Sequence, residues 1–167
     1  VSRAAALAGA AALIVGATTS VRGQGVPSSD VSPELRADVL IGRQPAVQVG
    51  AGVQIPFGYY VRLGLDGAVG VRLDDGSGSA RSRADARVDL VTRFLLDPFR
   101  QSRYGLSLGG GIGLRAEPGD HVRAVLLAAA DLEGARWSSG WVPAVQLGLG
   151  GGARLGIVLR RGTPRAR

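Results

Sequence analysis

The chain reads as an all-β protein, an antiparallel up-and-down meander closed into a small β-barrel. Eight strands are expected, six of them plainly visible as segments. Three observations predict this. Apolar and polar residues alternate with a period of two along most of 36–161, the spacing that sends successive side chains to opposite faces of a strand. Turn-forming clusters separate the alternating runs and are too short for the crossover helix that parallel strands need. Gly supplies 27 of the 167 residues, well above the usual ~7 % share, and concentrates on the polar side of the alternation.

Residues 1–23 read as a signal peptide. Arg3 gives a positive start, residues 4–15 (AAALAGAAALIV) form an uncharged apolar helix, and Gly16-Ala17-Thr18-Thr19-Ser20 is small and polar. The apolar run falls short of the ~20 residues that a membrane-spanning helix requires. Cleavage is expected near Gly23. Residues 24–35, with Ser28, Ser29 and Pro33, read as a linker, and 162–167 as a basic tail.

The barrel segments occupy 36–161. In the first, Val47, Val49, Ala51, Val53, Ile55 and Phe57 oppose Gln48, Gly50, Gly52 and Gln54. In the second, Val61, Leu63, Leu65, Val69, Val71 and Leu73 oppose Arg62, Gly64, Asp66, Gly70 and Arg72. The third is the clearest: Ala84, Ala86, Val88, Leu90, Thr92, Phe94 and Leu96 oppose Arg83, Asp85, Arg87, Asp89, Val91 and Arg93. Wound as a helix, the same residues would scatter charge around the whole cylinder. The fourth sets Leu106, Leu108, Ile112 and Leu114 against Gly105, Ser107, Gly109, Gly111, Gly113 and Arg115. The fifth, 122–133, is less regular, because Val125 and Leu127 fall on its polar face beside Arg123, Asp131 and Glu133. The sixth sets Trp141, Val145, Leu147, Leu149, Leu155, Ile157 and Leu159 against Gln146, Gly148, Gly150, Gly152, Arg154 and Arg160, in one unbroken register. The first and sixth segments are long enough to divide, at Arg43-Gln44-Pro45 and Gly150-Gly151-Gly152, which brings the count to eight. Turns are expected at Pro56-Phe57-Gly58, Asp74 to Ser79, Asp97-Pro98-Phe99, Glu117-Pro118-Gly119-Asp120 and Ser138-Ser139-Gly140.

Alternation alone fits two opposite objects. A soluble barrel buries the apolar face; a membrane barrel turns it to lipid and encloses the polar one. Glycine on a solvated face only weakens a strand, whereas inside a narrow barrel it makes room for long side chains. The segments are also long for soluble strands of ~5–6 residues. Phe57, Tyr59, Tyr60, Phe94, Phe99, Tyr104, Trp137 and Trp141 all fall near alternate turns, which in a meander share one rim. These features favour the membrane orientation. The alternative is a soluble periplasmic or secreted barrel that binds a lipid or another apolar ligand.

With its signal peptide, alternating strands, tight turns and terminal amphipathic strand, 36–160 resembles the small bacterial outer-membrane β-barrel proteins. The resemblance lies in this pattern, with Gly152-Ala153-Arg154-Leu155-Gly156-Ile157 carrying the form of the last strand. It implies export to the outer membrane of a Gram-negative-type cell envelope. It also implies outer-membrane lipid and the outer-membrane insertion machinery as partners. The segment ends Val158-Leu159-Arg160-Arg161, without the aromatic that usually closes such a strand.

The polar face is the candidate functional surface. Arg62, Asp66, Arg72, Arg83, Asp85, Arg87, Asp89, Arg93, Arg115, Arg123, Asp131, Glu133 and Arg154 would form a lumenal ion-pair network. An eight-stranded interior is filled by its own side chains, so a plug is expected in preference to an ion path. No enzymatic activity and no cofactor are expected. The chain has no Cys and one His, which excludes a disulfide framework, a thiolate metal site, a Cys nucleophile and a multi-His metal site. His121 beside Asp120 lacks an identifiable second catalytic element. The glycine runs at 109–113 and 148–152 lack the Lys-Ser/Thr of a phosphate loop. All 20 basic residues are Arg, and the formal net charge is +7. Export and an aromatic content of 5 % nevertheless argue against a nucleic-acid partner.

Overall fold

Leucine and valine alternating with glycine, arginine and aspartate leave the backbone no stable alternative to a pleated strand with two unlike faces. The computed structural model describes residues 31–42, 45–73, 82–99, 101, 103–116 and 121–161. The signal peptide, residues 24–30 of the linker, the tail at 162–167 and the turns at 74–79 and 117–120 lie outside the described residues.

Eight strands follow one another: β1 (Ser32–Ile41), β2 (Ala46–Phe57), β3 (Val61–Leu73), β4 (Ser82–Leu95), β5 (Gly105–Ala116), β6 (Arg123–Glu133), β7 (Trp141–Leu149) and β8 (Ala153–Arg161). Each pairs antiparallel with the next, and β1 pairs with β8 to close the barrel. Closure leaves the sheet without an edge strand, although the first residues of β6 (Arg123 to Leu127) extend beyond their pairing with β7. The eight-stranded meander agrees with the sequence reading, including both divisions: β1 and β2 separate at 42–45, β7 and β8 at Gly150–Gly152. Gly151 has φ +70°, a left-handed conformation that a side chain would strain, and the hairpin turns there. β1 begins at Ser32, inside the stretch read as linker.

The register fixes two rims. The β1–β2, β3–β4, β5–β6 and β7–β8 connections share one, called here the loop rim. The β2–β3, β4–β5 and β6–β7 connections share the other with the start of β1 and the end of β8, called here the terminal rim.

Candidate functional site: the charged lumen

Which face lies inside is decided by β4, where Arg87 is 3 % exposed and Leu90 is 41 % exposed. The same parity runs round the ring. Leu35, Val49, Leu63, Leu90, Ile112, Leu126, Leu147 and Ile157 stand on the outside, while the charged residues turn inward. Seven carboxylates (Glu34, Asp38, Asp66, Asp85, Asp89, Asp131, Glu133) and six guanidinium groups (Arg36, Arg87, Arg93, Arg115, Arg154, Arg160) are buried in the lumen. Gln48, Gln54, Gln146 and Ser107 are buried among them. Val91 on β4 and Leu127 and the half-buried Val125 on β6 are large apolar side chains on this face, so the irregular alternation of β6 marks an inward apolar patch.

Lumenal glycines create the space that the charges fill. A Cβ on Gly52 would land on the Asp66 carboxylate, one on Gly64 on the Arg93 guanidinium, and one on Gly156 on the Asp38 carboxylate. At Gly113 it would sit 2.5 Å from Asp89 Oδ1 and 3.3 Å from Leu127 and Val125. Overpacking a site whose neighbours are pinned typically costs ~1–3 kcal/mol. Gly113→Val is therefore expected to lower stability by about that amount, measured as the unfolding midpoint of the full chain in detergent. An unchanged midpoint would show that Asp89 has free room to move.

The ion pairs cross the barrel instead of following one wall. Toward the terminal rim, Arg160 on β8 donates to Glu34 on β1 at 2.9 Å and, on β6, to Asp131 at 3.0 Å and Glu133 at 2.9 Å. Arg93 on β4 reaches Asp131 at 3.0 Å and Asp66 at 3.3 Å. Arg36 lies 3.0 Å from Asp66, donates to Asp38 at 2.8 Å and hydrogen-bonds Gln146. Arg62 spans from β3 to Glu133 at 3.0 Å. Gln54 donates to Glu34 at 2.5 Å and Gln146 to Asp131 at 2.6 Å, so the neutral amides complete carboxylates that arginines leave partly satisfied. Toward the loop rim, Arg154 on β8 reaches across to Asp89 on β4 at 2.8 Å, and Arg87 on β4 pairs with Asp38 on β1. Asp85 accepts from Gln48 at 2.7 Å and lies 3.5 Å from Arg72.

Of the residues expected in the network, Asp66, Asp85, Arg87, Asp89, Arg93, Arg115, Asp131, Glu133 and Arg154 are buried, and Arg62 and Arg72 are half-buried. Arg83 and Arg123 hold lumen-facing positions on their strands but stand exposed at the loop rim. Glu34, Arg36 and Asp38 join the network from outside the expected set, although Glu34-Leu35-Arg36-Ala37-Asp38-Val39 carries the same alternation, and so does Arg160, which the alternation places on the polar face of the last segment. His121 is exposed just before β6. The eight aromatics belong to the terminal rim. Tyr59 and Tyr60 of the β2–β3 turn lie 6.2 and 6.3 Å, ring centre to ring centre, from Phe99 of the β4–β5 connection. Phe57, Phe94, Tyr104 and Trp137 are exposed there as well.

No protein-family model matches the chain, and no curated protein matches it. The small antiparallel β-barrel therefore stands on its own geometry. Chemically, that geometry is a barrel whose interior is bridged by ion pairs that join strands ranging from neighbours, as in Arg160–Glu34, to diametrically opposite ones, as in Arg154–Asp89.

Proposed function

We propose that the chain is an integral outer-membrane β-barrel with a non-enzymatic, structural or interaction role, its lumen plugged by ion pairs. The observation that carries this reading is the outer wall: exposed Leu, Val and Ile on all eight strands, enclosing a buried charged interior. Soluble proteins rarely leave so continuous an apolar surface in water. Strands of 9 to 14 residues suit the ~9–11 that a tilted membrane strand needs. Exposed aromatics gathered at one rim suit an interfacial girdle. Outer-membrane lipid would be the solvent of this wall, and the outer-membrane insertion machinery its route there. A soluble carrier of an apolar ligand would need an apolar interior, and the interior here is filled by arginine and carboxylate.

Fractionation tests the proposal. The full chain is expected in the envelope fraction and released only by detergent. Release in osmotic-shock fluid would sink it. Reconstituted in a planar bilayer, the barrel is expected to pass no steady ionic current, because Arg154–Asp89 and the Arg160 cluster bar the lumen. A stable ohmic channel would replace the plug with a pore.

A further inference from the structure

One seam of the barrel is shorter than the rest. β6 and β7 pair over six residues, from Ala128 opposite Leu149 to Glu133 opposite Ala144, whereas the other seams pair over eight to thirteen. Arg123 to Leu127 still pair with β5 on one side, opposite Arg115 to Gly111, but no strand stands on their other side. The ladder fixes where their backbone groups point. Gly134 donates its N–H to the Pro143 carbonyl at 2.8 Å, and residues of the same parity along β6 point the same way. Ala124 and Leu126 therefore aim their N–H and C=O groups away from β5.

The β7–β8 turn does not fill the gap. In register the next pair would be Leu126 with Gly151, and among the described residues that backbone bond is not made. The turn closes on itself instead, Gly150 donating to the Gly152 carbonyl at 3.1 Å, and leans into the lumen. There Arg115 donates to the Gly150 carbonyl, and a Cβ on Gly151 would stand 3.1 Å from Arg115 Nη1 and 3.5 Å from Val125. On the outside, Leu126 is 81 % exposed and Ala124 is exposed. At ~3.4 Å per residue, the six paired residues run about 20 Å along the strands, or about 15 Å across a bilayer at a tilt of ~40°. The apolar band of such a barrel is ~25 Å tall. With hydrocarbon around the wall, the bare edge falls within that band, where lipid chains offer it no hydrogen bond.

We propose that the Ala124–Leu126 edge of β6 is a strand-addition site, occupied by a short extended segment of a second polypeptide. The alternation of donor and acceptor along the edge selects this occupant. Ester and phosphate oxygens of a lipid only accept, which leaves both carbonyls unmet, whereas an extended backbone donates and accepts at the spacing of the edge. The ladder also sets the side-chain chemistry. Residues hydrogen-bonded to Ala124 and Leu126 share their outward face and continue the apolar wall. Those between point toward Val125 and the Gly150–Gly152 turn, where small side chains fit. The edge is bare whichever solvent meets the wall, so the site does not depend on the outer-membrane reading; lipid adds only to the cost of leaving it bare.

The probe is a synthetic peptide, Gly-Leu-Ser-Leu-Gly, with the sequence of Gly105–Gly109, which β6 already pairs with on its other side and which alternates apolar with small residues. Amide hydrogen exchange of the folded full chain in detergent micelles is followed by NMR. In the free chain, the Ala124 and Leu126 amides are expected to exchange about tenfold or more faster than those of Ala128 and Ala130. Saturating peptide is expected to slow them about tenfold or more. The same peptide N-methylated at both leucines lacks the donors and is expected to give no protection. Leu126→Pro removes a donor from the open edge alone, so the barrel is expected to fold and to lose the peptide response. If that variant does not fold, the N-methylated peptide decides. Edge amides already protected in the free chain would overturn the proposal, as would protection that grows with protein concentration, which assigns the edge to a second copy. Equal protection by the two peptides, or none by either, would overturn it as well. Fractionation reports on the wall and exchange on the edge, so the two readings fail separately.

Discussion

Replacing Arg160 with methionine is expected to destabilise the barrel by about 3–5 kcal/mol, the usual cost of removing one partner from a buried ion pair. The position is chosen because one guanidinium serves three carboxylates there: Glu34, Asp131 and Glu133, all within 3.0 Å. Methionine preserves most of the side chain's bulk, so the loss reports charge and hydrogen bonding more than packing. Asp131 retains Arg93, Ser107 and Gln146 as donors, and Glu133 retains Arg62. Glu34 keeps Gln54 and a contact to Arg36 at 3.4 Å. The three carboxylates would then share fewer cations in an interior that water does not freely reach. Arg160→Lys should recover part of the loss, since it restores charge but not the planar fork. The measurement is denaturant unfolding of the full chain in detergent. A change below about 1 kcal/mol for Arg160→Met would mean that the cluster is solvated, as surface pairs are, and the plugged lumen would be untenable.

The parts of this architecture that were legible in the sequence are those governed by a single strand. Alternation along 83–96 already separates Arg87 from Leu90, because neighbouring residues of a strand cannot share a face. The divisions at 42–45 and 150–152 were harder to read. The three-residue connection Gly150–Gly152 preserves parity, so Leu147, Leu149, Leu155 and Ile157 look like one unbroken strand until pairing folds Leu147 against Leu155. Glu34 was obscured for a related reason: Pro33 beside it suggests a linker, yet Pro33 sits in β1 with its side chain outward. What no single-strand pattern carries is the ring. That Arg154 meets Asp89, or that Arg87 stands opposite Arg115, depends on closure and register, which couple residues more than sixty or nearly thirty positions apart. Neutral lumenal residues such as Gln48 and Gln146 likewise gain their role only from the charges that the fold brings to them.

Placing an arginine at Ile157 should separate the two environments that this surface could meet. Ile157 is 64 % exposed at the middle of β8, paired with Ala37 and Val145, and its neighbours on that face are Leu155 and Leu159. If hydrocarbon surrounds the wall, Ile157→Arg is expected to cost about 2–4 kcal/mol, whereas Ile41→Arg, near the loop rim at the end of β1, should cost about 0–1 kcal/mol. In water, both changes would fall within about 0.5 kcal/mol. Unfolding free energies of the two variants in lipid vesicles, compared with the parent chain, make the measurement. A flat response would place the wall in water and remove the membrane reading. The contrast is sharp because β8 already carries Arg154 and Arg160 at buried positions of the opposite parity, each on a carboxylate. The strand tolerates arginine where Asp89 or Glu34 receives it. One residue out of phase, at Ile157, the same side chain would meet Ala37, Val145, Leu155 and Leu159 and no carboxylate, so its cost depends on what lies beyond them.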